Sequence, residues 1–321
     1  MTMQSYPASS EIIVNPDGSI YHLGIRPEHL CPLIFAVGDP ERVPLVSRNF
    51  DRVDEQINKR EFVSHVGTLA GKKVMAISSG IGTDNVEILL TELHILANYD
   101  LNTLKPLAGH RSLQIVRLGT SGTLQEDIPV DSLLVSDYAF GMDTLMEFYS
   151  IQQDSRLLDY AEALMEECTL DFLPYCEQAD TKLKALLAGK MLVGNTVTAP
   201  GFYAPQGRKI SLPIKPTGLM DKLLEFRFRG GRIDNFEMET AAYYTLGKAL
   251  GHQVISTNAI MANRATKEFS GQPDKTMNQL IHTVLDNMTG LEIESLGEKL
   301  ETIVWPTYLM RHLSGVVIEH L

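Results

Sequence analysis

Leu33-Ile34-Phe35-Ala36-Val37 followed by Gly38-Asp39-Pro40-Glu41-Arg42 is the stretch that decides the fold class. A short apolar run that stops at a glycine turn reads as a strand. Similar runs recur at Lys73–Ser78, Leu113–Leu118, Ser132–Ser136, Met191–Val197 and Val254–Ile260. Helical patterns lie between them. In Asp84–Tyr99 the apolar residues Val86, Leu89, Leu90, Leu93, Leu96 and Ala97 fall at helical spacing, and Asp84 with Glu87 resembles a capped start. Thr240–Leu250 is a second helix, with Gly251 as its stop. This alternation predicts an α/β fold, a mixed central β-sheet flanked by helices. Asn102–Arg111 reads as a surface loop broken by Pro106 and Gly109. The division expected is one domain over residues 1–290 and an appended helical tail over 291–321, which would pack on the domain or on a partner subunit.

Composition narrows the function. The chain has 321 residues, 44% hydrophobic and 21% charged, which is ordinary for a globular protein with a large core. Its formal net charge of -12 disfavours nucleic acid as a partner. Cys31, Cys168 and Cys176 form no CxxC, so neither a disulfide framework nor a zinc site is expected. The nine histidines show no metal-ligand spacing, and His65, His94, His252 and His282 read as core or surface residues. No signal peptide and no apolar run near the ~20 residues of a membrane helix is seen, so a cytoplasmic protein with no membrane partner is expected.

Five segments carry candidate chemistry. Gly38–Arg42 is either an anion nest with an added guanidinium or a plain strand-ending turn. Ser79-Gly80-Ile81-Gly82-Thr83 leads from a strand into a helix and suits an anion, yet it fits neither the dinucleotide nor the Walker fingerprint. Arg117, inside the apolar run LQIVRL, is costly there unless paired or liganded. Glu237 and Glu239, at a spacing of two, point to one side of an extended segment and suit a diol or acid/base work; equally, one of them caps the next helix. Phe202, Gln206 and Arg208 can stack on a flat heterocycle and read its edge.

Taken in order, YHLG (Tyr21–Gly24), GDPERV (Gly38–Val43), KREF (Lys59–Phe62), SSGIG, VRLGTSG, FYAPQGR, NFEMET and ANRAT (Ala262–Thr266) resemble the nucleoside phosphorylase superfamily, and within it the uridine phosphorylases. The resemblance runs from about Tyr21 to about Asn287. It implies a pentosyltransferase that cleaves uridine reversibly with phosphate, giving uracil and ribose 1-phosphate. It implies that Gly38, Arg42, Arg117 and Thr120 bind phosphate, with Arg60 lent by a neighbouring subunit. It implies that His22, Met238 and Glu239 bind ribose, His22 in a neighbour's site. Phe202, Gln206 and Arg208 would bind the base, and Glu237 would support the site. Arg117, Gln206, Arg208 and Glu239 form the expected catalytic set, in a homo-oligomer, a dimer or a trimer of dimers, with shared sites.

The resemblance implies no metal and no organic cofactor for the bond-breaking step, phosphate being a co-substrate. Some relatives hold a monovalent cation between subunits through a Glu, an Ile carbonyl and a Ser hydroxyl. Glu61 and Ile81 match, while Asn85 stands where the Ser would be. Purine-specific relatives carry a Ser-Asp pair where this chain reads Met261-Ala262-Asn263-Arg264-Ala265, which favours a pyrimidine. A purine nucleoside phosphorylase, a nucleosidase and a non-catalytic nucleoside binder are the alternatives. The phosphate arginines argue against the last two.

Overall fold

The computed structural model describes residues 7–152 and 154–290. The expected tail over 291–321 lies outside the described residues. Eleven strands form one mixed sheet: β1 (Leu33–Val37), β2 (Arg52–Lys59), β3 (Phe62–Leu69), β4 (Lys72–Ser78), β5 (Gln114–Thr123), β6 (Leu133–Gly141), β7 (Tyr175–Gln178), β8 (Leu192–Thr198), β9 (Asn235–Glu237), β10 (Gln253–Asn263) and β11 (Glu268–Phe269). All six strands expected from the sequence are present. The helices are α1 (Val43–Ser47), α2 (Thr83–Asn98), α3 (Ser155–Cys168), α4 (Thr181–Leu187), α5 (Leu219–Glu225), α6 (Thr240–Ala249) and α7 (Pro273–Met288).

The long strand β5 organises the sheet. β1 runs parallel to it on one side and β10 parallel to it on the other, from Gln253↔Gln114 onward. Its last residues turn to pair with β9, which leads through β8 and β6 back to β10. The sheet therefore closes into a barrel-like ring over this part, which alternation alone does not specify. β1, β4, β5 and β10 all point the same way, so Gly38, Ser79 and the second half of β5 collect at one end. A ligand crevice at the carboxyl ends of parallel strands is what such a sheet offers. α6 packs against α2, β6 and β10, and α7 covers β10 and β5. The residues of β1 are fully buried, matching their unbroken apolar run.

One local expectation fails. α2 starts at Thr83, with Gly82 as its N-cap, and Asp84 lies in its first turn instead of capping it. Gly80 and Gly82 both have positive φ, 77° and 99°, so the chain enters the helix through a glycine turn. The N–H of Gly82 goes to a side chain of the site described below. α6 ends as expected, with Gly251 at φ 76°.

At the opposite end of the sheet, three histidines far apart in sequence meet. His94 on α2, His110 before β5 and His252 before β10 bring ring nitrogens within 4.8 Å of one another. Their backbone surroundings set the tautomers. The N–H of Leu113 donates to Nδ1 of His252 at 3.2 Å, so the ring proton sits on Nε2 and faces Nδ1 of His94 at 3.3 Å. His110 Nε2 donates to the Leu250 carbonyl at 2.8 Å. A metal on Nε2 of His252 would need an imidazolate with both nitrogens deprotonated, so the trio does not fit a metal.

Burial lowers His94 to about 4 and His252 to about 3, each also disfavoured by a neighbouring ring. Unfolded histidines titrate near 6.5. Folded pKa values below the unfolded ones stabilise the fold above about pH 6.5, and that contribution is lost as pH falls toward 4 and 3. We predict that the melting temperature falls steeply from pH 7 to pH 4.5, and that His252→Asn, which keeps an acceptor for Leu113, flattens this part of the curve. Superimposable pH profiles for the two proteins would contradict it.

Candidate active site

Arg117 sits at the centre of the crevice on β5, 3% exposed. Its Nη2 meets Glu237 Oε2 at 2.9 Å and Glu239 Oε2 at 2.6 Å. Its Nη1 donates to Ser256 Oγ and Asn258 Oδ1, both at 3.2 Å. Burial acts to lower the Arg117 pKa, and the two carboxylates outweigh it and raise it. The cost of an arginine inside an apolar strand is thus met by pairing, and the two carboxylates do converge on one side. Gly119 is part of the same arrangement, because a Cβ there would lie 2.0 Å from Arg117 Nη1.

The two glutamates have different tasks. Glu237 caps α6, accepting from the N–H groups of Glu239 and Thr240 at 2.9 Å and from Thr198 Oγ1 at 2.7 Å. Its carboxylate is fixed on every side. Glu239 makes fewer bonds: Oε1 accepts from the N–H of Gly82 at 2.8 Å, and Oε2 takes Arg117. Burial raises the Glu239 pKa; Arg117 opposes the rise and Glu237 adds to it. The anion that the SSGIG turn was expected to suit is, in this structure, the side chain of Glu239.

A buried polar chain holds Arg117 from behind. Asn258 donates to Ser136 Oγ at 3.1 Å; Ser136 and Thr196 hydroxyls lie 2.6 Å apart; Thr196 donates to Asn235 at 2.7 Å; and Asn235 donates to Ser121 at 2.9 Å. The chain crosses β10, β6, β8 and β9 and returns to β5 within the GTSG motif. A fully bonded network of this kind rigidifies what it holds. Sequence reasoning missed Ser256 and Asn258, because short polar residues in an apolar strand carry no signal until their partners are known.

Arg42 and Gly38 follow β1 as expected. Burial lowers the Arg42 pKa; Asp39 and Glu239 oppose the shift and Arg117 adds to it, so Arg42 faces the same centre. Thr120 lies two residues beyond Leu118 on β5, beside Ala259 of β10, and is half-buried. Met238, between the two glutamates, is also half-buried.

At the other end of Asn235–Glu239 is a second cluster. Arg208 stacks on Phe202, its Cζ 3.8 Å from the ring centre, and donates to Gln206 Oε1 at 2.6 Å. Gln206 is buried and Phe202 is half exposed. Arg264 donates to the Gln206 carbonyl at 3.2 Å. Phe236 lies 5.8 Å from both guanidinium groups. Burial lowers the pKa of each arginine, and in Arg208 the neighbouring Arg264 adds to it. Arg264 belongs to the ANRAT motif, whose sequence alone assigns it no task.

His22 and Arg60 sit together around Tyr21. His22 Nδ1 is 2.6 Å from Glu92 Oε1, and Glu92 also accepts the N–H groups of His22 and Leu23. Arg60 is exposed at φ 55° in the two-residue hairpin turn between β2 and β3. Tyr21 joins the two, with Arg60 5.6 Å from its ring centre and His22 edge-on at 4.7 Å. Neither has a hydrogen bond or ion pair to Arg42, Arg117 or Glu239 among the described residues. In the adjoining turn, Asn85 Nδ2 donates to the Ile81 carbonyl at 3.1 Å.

Because Arg117 is held by four partners, it can make room for a new Cβ only by giving up some of them. Gly119→Ala is therefore expected to displace it, lowering stability by about 1–3 kcal/mol and removing any phosphate dependence. A variant with unchanged melting and unchanged phosphate saturation would contradict this placement.

Comparison with known proteins fits this geometry. A uridine phosphorylase from Thermococcus kodakarensis is 27% identical over 270 residues, 83% of this chain and 86% of the relative. A purine nucleoside phosphorylase of the DeoD type from Streptococcus suis is 25% identical over 84% of this chain and 97% of its own. The solved Trypanosoma brucei nucleoside phosphorylase, described as showing uridine phosphorylase activity, superposes with a TM-score of 0.80 at 26% identity, covering 87% of this chain and 100% of that one. The family model of the phosphorylase superfamily matches residues 32–288, and the chain belongs to that superfamily.

Proposed function

We propose that the protein is a uridine phosphorylase. The observation that carries this reading is the pairing of two separate clusters along Asn235–Glu239. One gathers Arg117 with Glu237 and Glu239, near Arg42; the other joins Gln206, Arg208 and Arg264 beside two aromatic rings. The first suits phosphate with a sugar diol, and the second suits the edge and face of a flat base.

In this reading, phosphate sits against Arg42, Arg117, Thr120 and the turn at Gly38, below the ribose. Met238 and Glu239 hold the sugar. The C1′–N1 bond breaks, its electron pair moves onto the base, and a phosphate oxygen bonds to C1′. Positive charge builds on the sugar, as in glycosidases, and the phosphate dianion offsets it. Gln206 and Arg208, aided by Arg264, stabilise the anionic base by preorganised donors. Phe202 stacks near the base. Phosphate is a co-substrate, and the scheme asks for no organic cofactor or metal.

His22 and Arg60 act in a neighbouring subunit's site. Their shared position around Tyr21, with no hydrogen bond or ion pair to the subunit's own Arg117 among the described residues, supports this. The working form is then a homo-oligomer built from dimers. Residues 1–290 would be the catalytic domain. No described helix is long and apolar enough to cross a membrane.

Uracil and ribose 1-phosphate should appear from uridine only when phosphate is present, with much slower turnover of inosine. Release of uracil without phosphate, or turnover of inosine alone, would overturn the reading. Arg60→Ala should raise KM for phosphate about tenfold or more with unchanged melting. Mixing it with Glu239→Gln under subunit exchange should restore activity, because one site of each mixed pair is then complete. Failure of the mixture to regain activity in a demonstrated hetero-oligomer would sink the shared site.

A further inference from the structure

The terminal nitrogens of Arg117 are already engaged by the protein. Nη1 serves Ser256 and Asn258, and Nη2 serves both carboxylates. The partners are not equally committed. Ser256 is bonded to Thr240 at 2.8 Å, Asn258 to Ser136 at 3.1 Å, and Glu237 to Thr198 and two helix N–H groups. Each is locked by bonds of its own. Among the described residues, Glu239 has only the Gly82 N–H besides Arg117, and that bond uses its other oxygen, Oε1. Of the four, Glu239 is the partner with the fewest bonds of its own, and so the one freest to turn once another anion meets Arg117. It is also the group that the phosphorolysis reading needs elsewhere, on the ribose hydroxyls.

Resting on that reading, we propose that phosphate and the Glu239 carboxylate compete for Nη2 of Arg117. Phosphate arriving on Arg42 takes the Arg117 nitrogen, and Oε2 turns away while Oε1 keeps its bond to Gly82. The freed carboxylate oxygen then accepts from the sugar. Without phosphate, the sugar must itself break the Arg117–Glu239 contact. With phosphate bound, that contact is already broken. Each substrate therefore raises the affinity of the other, and the two enhancements are equal by linkage. Arg117 is never left unpaired, since phosphate replaces one carboxylate as the other stays. The difference between Glu237, bound on all sides, and Glu239, bound on two, is what makes the exchange selective.

The test uses the intact oligomer and a uracil C-nucleoside, whose carbon–carbon link cannot undergo phosphorolysis. Its dissociation constant is measured by titration calorimetry with and without saturating inorganic phosphate, and phosphate is titrated with and without the C-nucleoside. The expected result is a tightening of about tenfold or more in both directions, by the same factor. In Glu239→Gln, whose amide cannot pair as an anion with Arg117, phosphate alone should bind more tightly than in the parent and the coupling should vanish. Tighter phosphate with coupling intact would mean that only charge was removed, and would overturn the exchange. Independent binding in the parent protein, with uridine still cleaved by phosphate, would overturn the exchange and leave the phosphorylase reading standing. No phosphate-dependent cleavage of uridine would remove both.

Discussion

The buried ion pairs of Arg117 constrain the rest of the site. A guanidinium at 3% exposure on a central strand is tolerable only with opposite charge and full hydrogen bonding around it. Glu237 and Glu239 supply the charge from the entrance to α6, and Ser256 and Asn258 of β10 supply neutral acceptors. That demand ties β5, β9, β10 and α6 to one point. It also requires glycine at 119, since any side chain would occupy the guanidinium's space. The barrel-like closure of the sheet brings β9 and β10 against β5, and so makes this meeting possible.

In the proposed reading, the same pairing lets one motif serve two ends of a substrate. Asn235–Glu239 is a single short segment. Its carboxylates reach Arg117, and its Phe236 ring reaches Arg208 and Arg264. A nucleoside also has a charged or polar sugar end and a flat base end, a few ångströms apart. The segment links the two clusters, and the buried chain from Asn258 to Ser121 ties it to β5.

Much of this was legible in the sequence. The six expected strands appear because their apolar runs are long enough to be buried on both faces, as β1 shows. Arg117 stood out because a charge in LQIVRL has to be explained, and the explanation is Glu237 with Glu239. Other features were out of reach for physical reasons. The cap expected of Asp84 is replaced by a glycine turn whose N–H serves a residue 157 positions away. His94, His110 and His252 looked scattered because only folding brings their rings together. Arg264 was visible in its motif, but its closeness to Gln206 and Phe236 depends on how β10 leaves the barrel.

The most direct test of the central claim is a crystal structure of the protein with phosphate and uracil bound. Phosphate is expected between Arg42 and Arg117 with Arg60 of a neighbouring subunit beside it, Glu239 Oε2 off Nη2, Glu237 unmoved, and uracil against Gln206 and Arg208. Phosphate bound elsewhere, or bound with the Arg117–Glu239 contact intact, would contradict it.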